Sequence, residues 1–206
     1  MTEHKSTSAD SLPPLSEGAG GGLSFSPSFG GGWGEACLGR LLSPGFFLRD
    51  VLEVAPALIG KKLVRRFEDG RIERYRITET EAYRGMEDRA CHASKGRTPR
   101  TEVMFQEGGT VYVYLIYGQY WLLNLVTGIE GDASAVLIRG MEGFPGPGRV
   151  GRQLQLDRSF YGESLITSPR IWLEDAEPVS EIKASKRIGI DYSGEEWAGK
   201  LWRFHY

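Results

Sequence analysis

The sequence predicts an α+β domain built on a largely antiparallel sheet, with short helices around it. Three observations carry that expectation. Extended runs rich in β-branched and aromatic residues fill the middle of the chain, few stretches between them are long enough for a substantial helix, and turn-prone residues separate runs that follow one another directly. With 206 residues, 40% of them hydrophobic, the chain is long enough to bury one substantial core, so a single domain is expected.

Residues 1–41 are rich in Gly, Ser and Pro (SEGAGGGLSFSPSFGGGWGEA) and cannot bury enough apolar area to offset the entropy of ordering them. They are read as a disordered arm, with the folded domain at 42–206. The arm's Phe25, Phe29 and Trp33 can dock or stay solvated, and nothing in the sequence names a partner for them. In RDVLEVAPALIG, Asp50 and Glu53 form a capping-box pattern, Val51, Leu52, Ala55, Leu58 and Ile59 share one helical face, and Gly60 sits where a C-terminal cap belongs. Pro56 interrupts the last turn at a cost of about 3 kcal/mol, so the helix should be short or kinked. Extended runs follow: KKLVRRF, then RIERYRITETEAY after the turn EDG, then TVYVYLIYGQYWLLNLV, then SAVLIRGME. RVGRQLQL reads as a helix start after PGPG, and EIKASKRIG as a further short helix. There is no internal repeat.

The formal net charge is −2, all of it in the arm; residues 42–206 carry as many basic as acidic side chains. A protein that coats nucleic acid by bulk electrostatics is usually strongly basic, so any anion-binding face here must be local. No apolar run is long enough to span a bilayer and the N-terminus lacks a signal pattern, so a cytoplasmic location is expected. Cys37, Cys91 and three histidines offer no CxxC or HxxxH spacing, so neither a disulfide framework nor a metal site is expected.

Two constellations stand out. In ITETEAY, strand alternation puts Ile77, Glu79, Glu81 and Tyr83 on one face and Thr78, Thr80 and Ala82 on the other. A solvated strand face and a pocket holding two carboxylates beside a tyrosine are both compatible with that pattern. The run VYVYLIYGQYWLLN is a dense aromatic hairpin with Gly118 placed for its turn, Tyr112 and Tyr114 facing one way and Tyr117 the other at or near the tip. Strand tyrosines often only pack across strands. An outward aromatic tip backed by an aromatic pocket is also what proteins that unstack nucleic-acid bases use.

The runs FFLRD, ETEAY, ED followed by CHAS, GRTPR, MF, YVYLIYG, the Asn of LLNLV, VLIRG, GPG and RIGIDYSGEEWAGK together resemble the alkyladenine (3-methyladenine, methylpurine) DNA glycosylase family. The resemblance runs in order from about Leu41 to the C-terminus. It implies a curved sheet with a protruding DNA-inserting β-hairpin. It also implies a monofunctional enzyme that flips alkylated or deaminated purines from duplex DNA and hydrolyses the N-glycosidic bond with water, using no cofactor and no metal. A monomer acting on double-stranded DNA is expected, nucleoid-associated if bacterial, with no membrane partner.

By the same resemblance Glu81 is the base that activates the water, while Arg139 and the backbone carbonyl of Ile188 help position it. Tyr83, His92 and Tyr114 are the walls between which the base stacks, Asn124 filters against guanine at the pocket floor, and Leu137 lines the pocket. Tyr117 is the wedge that fills the vacated stack. Electron-rich rings suit a cationic alkylated purine, which also leaves more readily than a normal base. Lys95, Arg97 and Arg100 in SKGRTPR are either phosphate contacts or a solvated loop. The family usually carries a longer helical segment where this chain has only Phe144 and Pro145 between Gly143 and Gly146, and members usually continue past RFHY. Two rival readings are a damaged-DNA binding module without turnover and a glycoside hydrolase using two of Glu79, Glu81, Glu87 and Asp88.

Overall fold

The protein is described as a computed structural model covering residues 39–206. The expected arm lies outside the described residues except for Gly39 to Leu41. Those three are already attached: Leu41 forms an isolated bridge with Glu174, and Arg40 O accepts from Asp175 N at 2.6 Å.

Two short helices open the fold, α1 (Pro44–Phe47) and α2 (Val51–Ala57). Asp50 caps α2 through Oδ1, which accepts from Leu52 N at 2.8 Å, and Pro56 limits the helix to seven residues. Val51, Val54, Ala55, Leu58 and Ile59 of this segment are buried, and Gly60 turns away at φ 85° to donate to Ile77 O. Nine strands follow: β1 (Lys62–Arg66), β2 (Ile72–Tyr83), β3 (Val111–Ile116), β4 (Tyr120–Thr127), β5 (Ser134–Met141), β6 (Phe144–Pro145), β7 (Ile171–Glu174), β8 (Lys183–Ser185) and β9 (Arg203–His205). Helix α3 (Pro147–Gln153) separates β6 from β7, and α4 (Glu195–Gly199) separates β8 from β9. Every pairing is antiparallel, and the main path runs β3-β4-β5-β2-β1-β7 without closing into a barrel, with β6 on β5 and β9 joining β2 to β8. The α+β expectation therefore holds.

Strand β2 is the hub. Its first half pairs with β1, and its second half lies between β5 and β9. At the handover the register with β5 shifts between Ile77, Glu79 and Thr80. This bulge corrects the strict alternation expected for ITETEAY, because one extra residue reverses the facing of everything beyond it. Ile77 and Ala82 accordingly belong to the same apolar core, and Thr80 hydroxyl donates to Ala55 O of α2 at 2.9 Å. Glu79, Glu81 and Tyr83 still share a face, but Ile77 is not on it.

EIKASKRIG is not a helix. Residues 183–185 form β8, in register with 203–205 of β9. Helix propensities of Lys, Ala and Ser differ by only tenths of a kcal/mol, so hydrogen bonds to a waiting strand outweigh them. The few residues available at RFHY suffice to place Arg203 opposite Glu81 and His205 opposite Glu79.

Helix α3 lies against β4 through two glycines. A Cβ on Gly151 would sit 1.8 Å from Trp121 O, and one on Gly148 would sit 3.1 Å from the Tyr120 ring. This close approach braces the β3–β4 hairpin from behind. At its tip Tyr117 (φ 52°) and Gly118 (φ 64°) both lie in the left-handed region, as the mirror-image turns that suit twisted hairpins require. Gln119 N closes the turn onto Ile116 O at 3.1 Å.

Candidate active site

The strand register lines up residues that are far apart in sequence. Tyr112 of β3 opposes Asn124 of β4, Asn124 opposes Leu137 of β5, Leu137 opposes Glu81 of β2, and Glu81 opposes Arg203 of β9. Cross-strand neighbours point to the same face. Above this row is a cavity of about 340 Å³, within the range of small-ligand sites, lined by Tyr83, His92, Tyr112, Tyr114, Tyr117, Asn124, Leu137, Arg139 and Ile188 among others. All the expected pocket and wedge residues are thus brought together.

Glu81 itself is fully buried beneath that lining. Oε2 accepts from Tyr83 hydroxyl at 2.8 Å, Oε1 accepts from Ile188 N at 2.8 Å, and Arg139 Nη1 lies 3.5 Å from Oε1. Ile188 therefore touches Glu81 through its N–H, an interaction that the expected role for its carbonyl does not include. Burial raises the Glu81 pKa above the ordinary carboxylate range, opposed by Arg139, the Ile188 N–H and the Tyr83 hydroxyl, and reinforced by the Glu79 charge. Burial, and then the Glu81 carboxylate, hold the Tyr83 phenol well above its usual pKa, so it stays a donor.

The walls are aromatic. His92 and Tyr114 meet edge to face with centroids 4.7 Å apart, and Tyr112 lies 5.5 Å from Tyr114. His92 Nδ1 is 2.9 Å from Tyr112 hydroxyl. Burial first, then the Arg100 and Lys95 charges, push the His92 pKa down to about 4, so the ring is neutral at physiological pH. A neutral wall does not repel a cationic base. At the floor Asn124 is 4% exposed, and its amide nitrogen donates to Tyr112 O at 3.2 Å, which fixes the side chain's orientation. Tyr117, at the mouth, is 83% exposed. A turn, not strand phase, decides its outward position.

The basic loop divides. Arg100 lies over the Tyr114 ring at 5.1 Å and lines the cavity, and Lys95 is exposed. Arg97 is paired with Glu102 at 3.2 Å and lies over Phe105, so part of its charge is already matched.

Several participants escaped the sequence reading. Arg187 is buried behind Tyr83, 4.8 Å from its ring, with Nη1 2.5 Å and Nη2 3.0 Å from the Asp88 carboxylate. The same guanidinium donates to Ala82 O at 2.9 Å and Trp197 O at 3.3 Å. Asp88, a candidate for a glycosidase pair, is thereby committed to structure, while Glu87 is exposed. Tyr192 and Pro147 also line the cavity. Arg187 stands beside Ile188 in KRIG, and ED precedes CHAS, but nothing in either run announces a pair 99 residues apart.

The sequence model for methylpurine-DNA glycosylase matches residues 45–145 and 144–206. Its two pieces meet at β6, where the connection is short. A protein of Methanocella arvoryzae is 43% identical over 185 residues, covering 80% of this chain and 92% of that protein. One from Legionella pneumophila (strain Paris) is 43% identical over 175 residues, covering 81% and 93%. A third, from Myxococcus xanthus, is 45% identical over 173 residues, covering 79% and 88%. All three are provisionally named 3-methyladenine DNA glycosylases. A family match across nearly all of the described residues, with relatives this similar over most of their own length, shows that the chain belongs to the methylpurine-DNA glycosylase family.

Proposed function

We propose that the protein excises alkylated purines from duplex DNA by drawing the damaged nucleotide into the aromatic cavity and hydrolysing its N-glycosidic bond with a water activated by Glu81. One observation carries the reading: a fully buried carboxylate with a raised pKa sits directly behind an aromatic cavity. Burial makes a carboxylate a stronger base, and its charge suits the cationic sugar that develops as the base leaves. Tyr83, His92 and Tyr114 stack the base, Asn124 and Leu137 bound the floor, and Arg139 and Ile188 hold Glu81 and the water. Arg100 and Lys95 meet phosphates at the rim. The cavity lining is complete within a single chain, which supports a monomer as the working unit.

A binding module without turnover is the competing account. It gains nothing from burying an ionised carboxylate, which costs several kcal/mol even when partnered. Incubation with a duplex carrying 3-methyladenine or hypoxanthine, followed by alkali, separates the two: strand cleavage at the lesion means catalysis, and a gel shift without cleavage removes the enzymatic reading.

The base must be ionised to act, so activity is lost as pH falls through its pKa. Because that pKa is raised, the acid limb of the single-turnover rate is expected above the ordinary glutamate range near 4.3. His92, neutral down to about pH 4, should add no limb between pH 5 and 8. A limb at or below the ordinary glutamate value would contradict Glu81 as the base.

Tyr117→Ala removes a contact of the kind worth about 1–3 kcal/mol per stacked base. The same lesion should suffer more in a stable pair than opposite a mismatch, where extrusion already costs less. Single-turnover excision on both duplexes reads this, and equal losses would reduce Tyr117 to general binding.

A further inference from the structure

Arg139 is shared between two carboxylates and held more closely by Glu79 than by Glu81. Its Nε donates to Glu79 Oε1 at 3.1 Å, while its Nη1 stands 3.5 Å from Glu81 Oε1. The same Glu79 oxygen accepts from Arg203 Nη1 at 2.8 Å, and Arg203 Nε donates to Lys186 O at 3.1 Å. Arg139 lines the cavity, whereas Glu79, Glu81 and Arg203 do not.

We propose that Glu79 and Arg203 are positioning residues that act on Glu81 through Arg139, the first keeping the arginine from closing fully onto Glu81 and the second holding and neutralising Glu79. This rests on Glu81 being the base. A guanidinium is a planar fork, so an Nε anchored on Glu79 restricts how Nη1 can approach Glu81. Released from Glu79, Arg139 would pair fully with Glu81 and make it a weaker base. The Glu79 charge works in the same direction, since a neighbouring negative charge favours the protonated form. Arg203 works in the opposite direction: without it Glu79 is less compensated and draws Arg139 further from Glu81.

The charged and titratable groups around Glu81 are few. Glu79 and Tyr83 come from its own strand, Arg139 from β5 and Tyr114 from β3, with Arg187 behind the Tyr83 ring and Arg203 behind Glu79. Arg187 is already matched by Asp88, so Glu79 and Glu81 against Arg139 and Arg203 leave the cluster neutral, and removing any one of these charges should register on the others.

The experiment is the pH dependence of single-turnover excision, with enzyme in excess over an alkylated duplex, for the parent, Glu79→Gln, Arg203→Gln, Arg203→Lys and Glu81→Gln. The expected result is opposite movement of the acid limb: to lower pH in Glu79→Gln, to higher pH in Arg203→Gln, and none in Arg203→Lys, which keeps the charge. Plateau rates of the two Gln variants at these positions should fall on the order of tenfold to a hundredfold, as displaced catalytic groups do. A merely structural role would lower rates without moving the limb, and an unmoved limb, or movement of both variants in the same direction, overturns the proposal. If Glu79→Gln does not fold, the Arg203→Gln and Arg203→Lys pair decides by the same criterion. Turnover persisting in Glu81→Gln would refute the assignment of the base itself, a failure distinct from an unresponsive limb.

Discussion

Glu81→Gln is expected to lower single-turnover excision by about 10²- to 10⁴-fold, the contribution of a positioned general base, while binding of the lesion duplex persists. The variant keeps the shape of the side chain, and its amide oxygen still accepts the Ile188 N–H that Glu81 Oε1 accepts at 2.8 Å. The Tyr83 hydroxyl that donates to Oε2 can rotate to accept from an amide nitrogen. Stability should move the other way. The folded protein holds Glu81 above its ordinary pKa, so the ionised form is disfavoured by folding, and the penalty grows as pH rises through the range where Glu81 loses its proton. Glutamine removes it, and the variant should melt at the parental temperature or above at neutral pH. That combination of lost activity and retained or gained stability is the signature of a site whose function costs stability. A lower melting temperature would mean that the contacts of the carboxylate outweigh its desolvation.

Asp88→Ala carries the largest expected loss of stability. The Asp88 and Arg187 side chains are both fully buried, and removing one leaves an uncompensated buried charge, at a cost of about 3–5 kcal/mol. Among the described residues Arg187 Nε already has no hydrogen-bond partner, so the remaining guanidinium keeps only Ala82 O and Trp197 O as hydrogen-bond acceptors beside the Tyr83 and Trp202 rings. Urea unfolding of the single variant measures the loss. Asp88→Leu combined with Arg187→Met should recover most of it, because an apolar pair of similar volume avoids the desolvation of two charges. If Asp88→Ala unfolds like the parent, water reaches the pair and it is not the brace that its burial implies. The pair joins the turn leading to His92 with the segment that carries Ile188, so partial unfolding here should disorder one pocket wall and the Glu81 contact together.

Much of the site was legible because its parts are local. Tyr112 and Tyr114 alternate onto one face, Gly118 marks the turn, and Asp50 marks the start of α2, each decided by neighbours within a few residues. The family resemblance then assigned candidate roles to Glu81, Tyr83, His92 and Asn124, and the structure places all four at one cavity or directly behind it. The facing of Ile77 was misread because a bulge is set by what pairs on either side of β2, not by ITETEAY itself. The segment 183–185 was misread as helix because its weak local preference yields to pairing with β9.

By itself the sequence determined the class of the fold, the aromatic hairpin and its turn, the capped helix, and the set of side chains from which a purine pocket can be built. These follow from backbone sterics, strand alternation and capping, all of which act over a few residues. Only the tertiary structure decided that Tyr112, Asn124, Leu137, Glu81 and Arg203 stand in one row, that Glu81 is buried while Glu87 is exposed, and that Asp88 spends its charge on Arg187. Register and desolvation depend on which strands meet and what covers them, and so on contacts between residues as far apart as 124 positions in the chain.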